Sequence, residues 1–278
     1  MRFIVRSVSS LGRKDRETPR RAPLGAPLDR GAEQTRSPFL PPDPELALGK
    51  IAGTHAAVLN KFPVVAHHLL VVTERFVPQE VLLDQDDFAA LAACLAEVDG
   101  LAFYNGGRDA GASQPHKHLQ LVPLPLGAGP WPAPIEAVFD AWAATGNVSR
   151  LLRLPFRHAF SLLEPSLFDD RVRAAEHLHE VYALQMEAIG VAEEGPVAAN
   201  DAANDEATAA NDEPRQAAPY NLLVTRRWML AVPRSRERLG SISVNALGFA
   251  GSLFVRDEAE MAALREAGPM SVLRAVAA

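Results

Sequence analysis

Two histidines and a glutamine occupy alternate positions in the segment 116–120, whose residues are His-Lys-His-Leu-Gln. If this segment is a β-strand, its first, third and fifth side chains project from one face and the other two from the opposite face. An imidazole is mostly neutral at pH 7, and its nitrogen can form a covalent, easily broken bond to phosphorus. The spacing therefore predicts phosphoryl or nucleotidyl transfer by a histidine nucleophile.

A glycine-rich loop directly precedes the histidines. Glycines at 106, 107 and 111 allow close backbone approach to a ligand, and the loop N–H groups could cradle phosphate oxygens together with the Ser113 hydroxyl and the Gln114 amide. Such loops are also common in simple turns, so the loop alone is not specific. Joined to the His-x-His-x-Gln pattern, it indicates a phosphate-binding site.

Two other interpretations of the histidines stay open on the residues alone. Histidines two apart on a strand also occur in zinc sites, and histidines can be polar core residues. The single cysteine, Cys94, excludes a cysteine-based zinc cluster and an internal disulfide framework.

Strands and helices alternate around these motifs. Strands are predicted at His55–Asn60 and His68–Thr73, as antiparallel neighbours, and at Leu101–Tyr104, His116–Val122, Tyr220–Thr225 and Trp228–Val232. Helices are predicted from an N-cap at Asp86 to Gly100, at Ile135–Ala143, and at Arg171–Ile189 with Val172, Leu178, Val181 and Met186 buried. The last predicted segment is Ile242–Arg256.

Composition and charge limit the classes of function. The chain has 278 residues, 48% of them hydrophobic, with no run of 18 apolar residues and no signal peptide at 1–10, so we expect a cytoplasmic protein with no membrane partner. Its 28 basic and 34 acidic residues argue against a nucleic-acid partner. The sequence does not determine the oligomeric state.

Four regions follow from the charge distribution. Residues 1–36 are predicted to form a basic arm that is partly ordered, and within it residues 3–5 and Val8 could dock as a short edge element. Residues 37–190 are predicted to form the catalytic region. Residues 191–218 carry seven acids against Arg215 and are predicted to be a disordered insertion, and residues 219–278 complete the same catalytic body. The insertion accounts for the whole net charge of −6, so that charge does not argue against a polyphosphate ligand.

The segment Gly111–Gln120 resembles the signature of the diadenosine tetraphosphate phosphorylases, or ATP adenylyltransferases, in the histidine-triad superfamily. Six further segments are similar to that family in the same order: Ser37–Pro42, Leu59–Thr73, Asp99–Gly107, Tyr220–Thr225, Trp228–Ser235 and Ile242–Gly251. The resemblance implies a histidine-triad-like α+β fold, with a mainly antiparallel sheet flanked by helices.

The resemblance also implies a reaction in two steps on a dinucleoside polyphosphate. In the first step, His118 would attack the α-phosphate and release ATP; in the second, inorganic phosphate would remove the adenylyl group as ADP. His116 would orient the site, and Gln120 would hydrogen-bond the α-phosphate. Substrate contacts are implied for Lys14, Asn60, Lys61, Asn105, Gly111, Ala112, Ser113, Gln114, Asn221, Thr225 and Met229. No resident cofactor or metal is expected, although Mg²⁺ could accompany the substrate.

Details of the motif separate related reactions. Gln120 cannot titrate, which favours transfer over the hydrolysis catalysed by enzymes with a third histidine there. Lys117 replaces the proline found between the histidines of uridylyltransferases. The alternatives are a hexose-1-phosphate uridylyltransferase-like enzyme and a non-catalytic dinucleotide-binding sensor. Met229 can also be interpreted as a core residue. A basic segment contains three arginines that either steer polyphosphate or form a solvated turn: Arg234, Arg236 and Arg238.

Overall fold

The computed structural model describes residues 1–8, 37–139, 148–151, 153–192 and 213–278. Most of the basic arm, including Lys14, and most of the acidic insertion lie outside the described residues. The four-region division of the chain therefore stays a prediction.

One antiparallel sheet of eight strands organises the molecule. The strands of the described chain are β1 (Ile4–Ser7), β2 (Ala47–Ile51), β3 (His55–Leu59), β4 (Leu69–Thr73), β5 (Gly100–Gly106), β6 (His118–Pro123), β7 (Ala159–Leu162), β8 (Tyr220–Val224), β9 (Trp228–Pro233), β10 (Arg238–Leu239), β11 (Ile242–Ser243) and β12 (Ser252–Val255). The large sheet has the order β2-β3-β4-β6-β5-β8-β9-β7. Strands from both sides of the insertion thus lie in one sheet, with β8 paired to β5.

Several strand predictions are confirmed. β3 and β4 are antiparallel neighbours, with His55 opposite Thr73, and β8 and β9 occupy their predicted segments. The short edge element is also confirmed, because β1 pairs in parallel with β12. The strand containing the histidines begins at His118 rather than at His116, which forms an isolated bridge with Pro78.

Helices lie on both faces of the sheet, as the α+β prediction requires. They are α1 (Gln85–Glu97), α2 (Arg171–Ile189), α3 (Ala246–Phe249), α4 (Glu258–Ala267) and α5 (Pro269–Val276), with short 3₁₀ helices at Arg108–Ala110, Pro134–Val138 and Pro165–Asp169. No helix in the described ranges has both the length and the apolar character needed to cross a membrane.

The bounds of α2 are as predicted, whereas the N-cap predicted for α1 is wrong. Asp170 caps α2, which ends at Gly190 in the left-handed conformation with φ of 65°. At α1, the cap is Asp84, two residues before Asp86, because its side chain accepts from the Asp87 N–H while the Asp87 side chain accepts from the Asp84 N–H. This reciprocal capping box fixes where the helix begins.

Other helix predictions need correction. Within the predicted helix Ile135–Ala143, residues up to Val138 form a 3₁₀ helix, and residues 140–147 lie outside the described chain. Val172 is 70% exposed rather than buried. Helices α4 and α5 were not predicted; α4 contributes Leu264 to the core, and α5 contributes Val272, Leu273 and Val276.

The two faces of the sheet carry separate cores. On one face, α1 and α2 pack against side chains from the central strands, including Leu119, Tyr104 and Met229. On the other face, β12 and the carboxyl-terminal helices cover Phe103, Val122 and the same-facing residues of β8 and β9. The histidine side of β6 therefore faces away from α1 and α2.

A buried ion pair joins Lys117, the residue before β6, to Asp87 of α1. The Lys117 ammonium is 1% exposed, contacts the Asp87 carboxylate, and donates to the Leu82 carbonyl at 2.9 Å. His55 Nε2 contacts the other Asp87 oxygen at 3.0 Å. Burial by itself would raise the pKa of Asp87, but the His55 hydrogen bond and the Lys117 charge together hold that pKa below its usual range.

The packing of α2 predicts unequal effects of two alanine substitutions. Leu178→Ala removes a fully buried side chain and should lower the free energy of unfolding by about 2–5 kcal/mol. Val172→Ala, on the exposed face of the same helix, should change it by less than about 0.5 kcal/mol. Urea denaturation measures both, and equal losses would contradict the assigned face.

The buried ion pair predicts a difference between adjacent aspartates. Asp87→Asn leaves the buried Lys117 charge with only the more distant and exposed Asp84 carboxylate, at 3.9 Å, and should lower the free energy of unfolding at pH 7 by about 3 kcal/mol. The folded-state pKa of Asp87 is depressed, so its stabilisation is present above the unfolded-state pKa and is lost as pH falls through the folded value. The deficit of the variant should therefore shrink in acid, below about pH 4.

Asp86→Asn is the matched control for this experiment, since Asp86 lies in the same helical turn but is exposed. Its cost should stay below about 0.5 kcal/mol at both pH values. Denaturation at pH 7 and pH 3 tests the pair, and a deficit of Asp87→Asn that grows in acid would contradict the assignment.

Candidate active site

The predicted alternation of side chains along 116–120 is confirmed. Lys117 and Leu119 point into the core shared with α1, whereas His116 and His118 face the aromatic ring of Phe39 on the opposite side. Gln120 lies on the histidine side as well, opposite Leu70 of β4. The strand thus divides a buried cation from two imidazoles and an amide.

Main-chain contacts determine the tautomer of His118. Its Nδ1 lies 2.7 Å from the carbonyl oxygen of His116, two residues earlier, so Nδ1 carries the proton and donates it there. In this tautomer Nε2 holds the lone pair, which a nucleophile needs. The Phe39 ring, with its centroid 5.4 Å from that of His118, packs beside the imidazole and also contacts the side chains of β3 and β4.

His116 is held in the opposite tautomer. Its Nε2 donates to the Thr73 hydroxyl oxygen at 2.8 Å and to the carbonyl oxygens of Thr73 and Arg75, each at 3.0 Å, while Nδ1 accepts from the Ser37 hydroxyl at 2.5 Å. Burial lowers the pKa of His116, even though the two carbonyl contacts act in the other direction. A neutral ring fixed at both nitrogens suits the predicted orienting role, since it holds the carbonyl that binds His118.

Both ring nitrogens of His116 are therefore occupied by protein groups, which does not fit the zinc interpretation. Throughout the described ranges, the His, Cys, Asp and Glu side chains form no group of three or more that could hold a metal ion. The expectation that the protein has no resident cofactor stays a prediction.

A chain of three side chains leads from the β3–β4 connection to the site. Asn60 Nδ2 donates to His68 Nδ1 at 3.2 Å, and His68 Nε2 donates to Gln120 Oε1 at 3.0 Å. Because Oε1 accepts this bond, the NH₂ end of the Gln120 amide remains as its hydrogen-bond donor. The structure brings Asn60 and Gln120 together, whereas Lys61 is exposed and its ammonium contacts the ring of Phe62.

The amides of the glycine loop differ from the prediction. The N–H of Gly111 donates to Arg108 O at 2.9 Å, and that of Ala112 donates to Gly107 O at 3.2 Å. These two N–H groups therefore close their own turn and do not form an open cradle for phosphate. Gly111 has φ of 94°, and a Cβ there would lie 3.1 Å from Asn245 Cα, so its lack of a side chain serves backbone conformation and packing. Ser113 and Gln114 follow this turn, before the Pro78–His116 bridge.

Asn105 and Asn221 are paired with each other. Asn221 Nδ2 donates to Asn105 Oδ1 at 2.9 Å and to Ala110 O at 2.8 Å, and Asn105 Oδ1 also accepts from Ala246 N at 3.0 Å. Arg234, which is 2% exposed, donates to Ala110 O at 3.2 Å and to Asn221 Oδ1. These side chains fix the glycine loop from below, and the steering role considered for Arg234 is wrong, because its guanidinium is buried among carbonyls.

Two candidates of the carboxyl-terminal segment lie away from the histidines. Met229 is fully buried on the face covered by α2, so the core interpretation of this residue is confirmed. Thr225 Oγ1 accepts from the N–H groups of Arg227 and Trp228 at 3.0 and 3.2 Å, and thereby closes the β8–β9 turn. Neither side chain is placed to contact a ligand at His118.

Four residues that hold the site were not predicted as part of it: Ser37, Phe39, His68 and Gln79. The first two belong to a segment noted for its family resemblance, and His68 lies in a predicted strand, but no local pattern links them to the histidines. Their contacts join residues 52 and 79 positions apart in the sequence.

Comparisons with known proteins cover both halves of the chain. Residues 1–141 match the family model of the Ap4A phosphorylase N-terminal domain, and residues 152–278 match that of the ATP adenylyltransferase C-terminal domain. Diadenosine 5',5'''-P1,P4-tetraphosphate phosphorylase 2 of Saccharomyces cerevisiae is 29% identical over 252 residues, which are 84% of this chain and 73% of that protein.

Solved structures agree with these matches. The crystal structure of yeast Ap4A phosphorylase Apa2 has a TM-score of 0.67 and 25% identity, and the match covers 87% of this chain and 81% of that one. The same enzyme in complex with AMP also gives 0.67, at 26% identity, with coverage of 86% and 80%. The predicted histidine-triad-like fold is confirmed, and the chain belongs to the Ap4A phosphorylase (ATP adenylyltransferase) family.

Proposed function

We propose that this protein cleaves diadenosine tetraphosphate with inorganic phosphate, producing ATP and ADP through an adenylyl group carried on His118. The observation that carries this proposal is the 2.7 Å contact between His118 Nδ1 and His116 O, which leaves the lone pair on Nε2. The names of the family models and of the yeast relative, a diadenosine tetraphosphate phosphorylase, support the same reaction.

In the first step, His118 Nε2 forms a bond to the α-phosphorus of the substrate, and the bond from that phosphorus to the bridging oxygen breaks. The electron pair leaves with the oxygen of ATP. The imidazole becomes positively charged, and its Nδ1–H remains bonded to the His116 carbonyl, which stabilises that charge. The Gln120 NH₂ group donates to a non-bridging α-phosphate oxygen, where negative charge develops.

In the second step, an oxygen of inorganic phosphate attacks the same phosphorus and the N–P bond breaks, returning the lone pair to Nε2. The product is ADP. Gln120 carries no titratable proton, and both ring nitrogens of His116 are bonded to protein groups, so neither side chain is suited to activate water as a general base. This arrangement supports transfer to phosphate, which is an anion that needs no deprotonation to act as a nucleophile.

Two alternatives give different products. A uridylyltransferase-like enzyme would exchange a sugar phosphate with a UDP-sugar, and a non-catalytic sensor would bind the dinucleotide without forming a covalent adduct. Any Mg²⁺ in the reaction would enter with the polyphosphate, since it prefers phosphate and carboxylate oxygens.

His118→Ala should abolish both turnover and the covalent adduct, because the nucleophile is removed. Chromatographic separation of nucleotides after incubation with diadenosine tetraphosphate and phosphate should show ATP and ADP for the unmodified protein. Intact-mass spectrometry should show one adenylyl group when phosphate is omitted. His177→Ala, on the surface of α2, is the control and should retain full activity.

Three results would contradict the proposal. AMP in place of ADP would indicate hydrolysis, binding with no mass increase would indicate a sensor, and UDP-sugar turnover would indicate the uridylyltransferase alternative.

Gln120→Leu should lower kcat by roughly 10²–10³-fold, the usual cost of losing one donor to a developing oxyanion. His68→Leu should have a smaller effect in the same direction, since His68 only orients the Gln120 amide. Steady-state kinetics on both variants checks this order, and a larger loss for His68→Leu than for Gln120→Leu would contradict the assigned roles.

A further inference from the structure

The hydrogen-bond ladder between β5 and β6 stops two residues short of His118. Its register pairs Gly100 with Pro123 and ends with Phe103 opposite Gln120. Continuing this register by two residues would place Asn105 opposite His118. The ladder stops before that pair, and β6 begins at His118.

The side-chain amide of Gln79 occupies the place of the next ladder bond. Its Oε1 accepts from the His118 N–H at 3.0 Å, and its Nε2 donates to the Asn105 carbonyl at 3.0 Å and more weakly to the His118 carbonyl at 3.4 Å. An amide has the same donor and acceptor as a peptide group, so it can be inserted between two strands without leaving a buried polar group unpaired. The side chain is completely buried.

The main chain of Gln79 is held firmly on both sides. Its N–H donates to Pro115 O at 2.8 Å, and its carbonyl accepts from the Tyr104 hydroxyl. The neighbouring Val77 carbonyl accepts from Lys117 N at 2.7 Å. The amide is therefore fixed relative to both strands that it separates.

We propose that Gln79 is a positioning residue, which holds β5 and β6 apart at Asn105 and His118 and so sets the distance between the glycine loop and the nucleophile. The loop leaves β5 directly after this point, and His118 begins β6. A shift of about 1 Å at a reacting group can lower a rate by 10²-fold. This proposal rests on the proposed function for its kinetic consequences, but its structural consequence is independent of the reaction.

The kinetic test compares two completely buried glutamines. Gln79→Met should lower kcat and the rate of adenylyl-His118 formation by at least tenfold, roughly the scale of a misplaced nucleophile, with a smaller change in KM. Gln185→Met is the matched control, because Gln185 donates to Ser161 Oγ and Met229 O on the α2 side of the sheet. It should lower the melting temperature similarly without changing kcat.

Gln79→Glu supplies a readout that a general loss of stability would not produce. A protonated glutamic acid keeps one acceptor and one donor, whereas the carboxylate would face the carbonyl oxygens of Asn105 and His118. The activity of Gln79→Glu relative to the unmodified protein should therefore fall as pH rises, and that of Gln79→Met should be independent of pH. Unchanged kcat in Gln79→Met, or equal losses in the two methionine variants, would overturn the proposal.

A crystal structure of Gln79→Ala gives the test that does not depend on turnover. Without the amide between them, Asn105 O and His118 N are expected to close to a ladder bond of about 2.9 Å. If the distance between Asn105 O and His118 N stays as it is in the unmodified protein, the proposal is overturned, whatever the activity of the variant. If the strands close but the unmodified protein forms neither ADP nor adenylyl-histidine, the proposed function fails and the positioning role stands.

Discussion

The arrangement of this site depends on the alternation of side chains along residues 116–120, which lead into β6. Lys117 must reach the Asp87 carboxylate in the core beneath the sheet, and that requirement directs His116 and His118 to the opposite face. A slip of one residue would place both imidazoles among the apolar side chains of α1 and leave the lysine charge on the ligand side. The buried ion pair thus specifies the register of the strand on which the chemistry is proposed.

The chemical state of the histidines is determined largely by main-chain groups. Carbonyl oxygens of Thr73 and Arg75 hold His116, whose own carbonyl holds His118 Nδ1. Carbonyl oxygens neither titrate nor change rotamer, so they keep a tautomer more reliably than a flexible carboxylate would. The side chains of Ser37, Phe39 and Gln79 then fix the rings and the strand around this frame.

Patterns of short range predicted the elements well where the local signals were strong. The periodicity and caps of α2 gave its correct bounds, and the alternation at 116–120 gave the correct faces. The N-cap of α1 was misplaced because three aspartates stand close together at 84, 86 and 87, and only the reciprocal contacts of the folded turn distinguish them. Val172 fitted an apolar spacing, yet it lies on the side of α2 that is exposed in the described part of the structure.

The sequence by itself determined the nucleophile candidate, its neighbours on one face and the family, because residue types and spacing within a strand carry that information. Only the tertiary structure decided which of the candidate polar side chains are bonded to other groups of the protein. Asn105, Asn221 and Arg234 are bonded to one another beneath the glycine loop, and His68 and Gln79 reach the site from separate segments. The physical reason is that each buried polar group must find a partner in three dimensions, and these partners lie up to 141 positions apart along the chain.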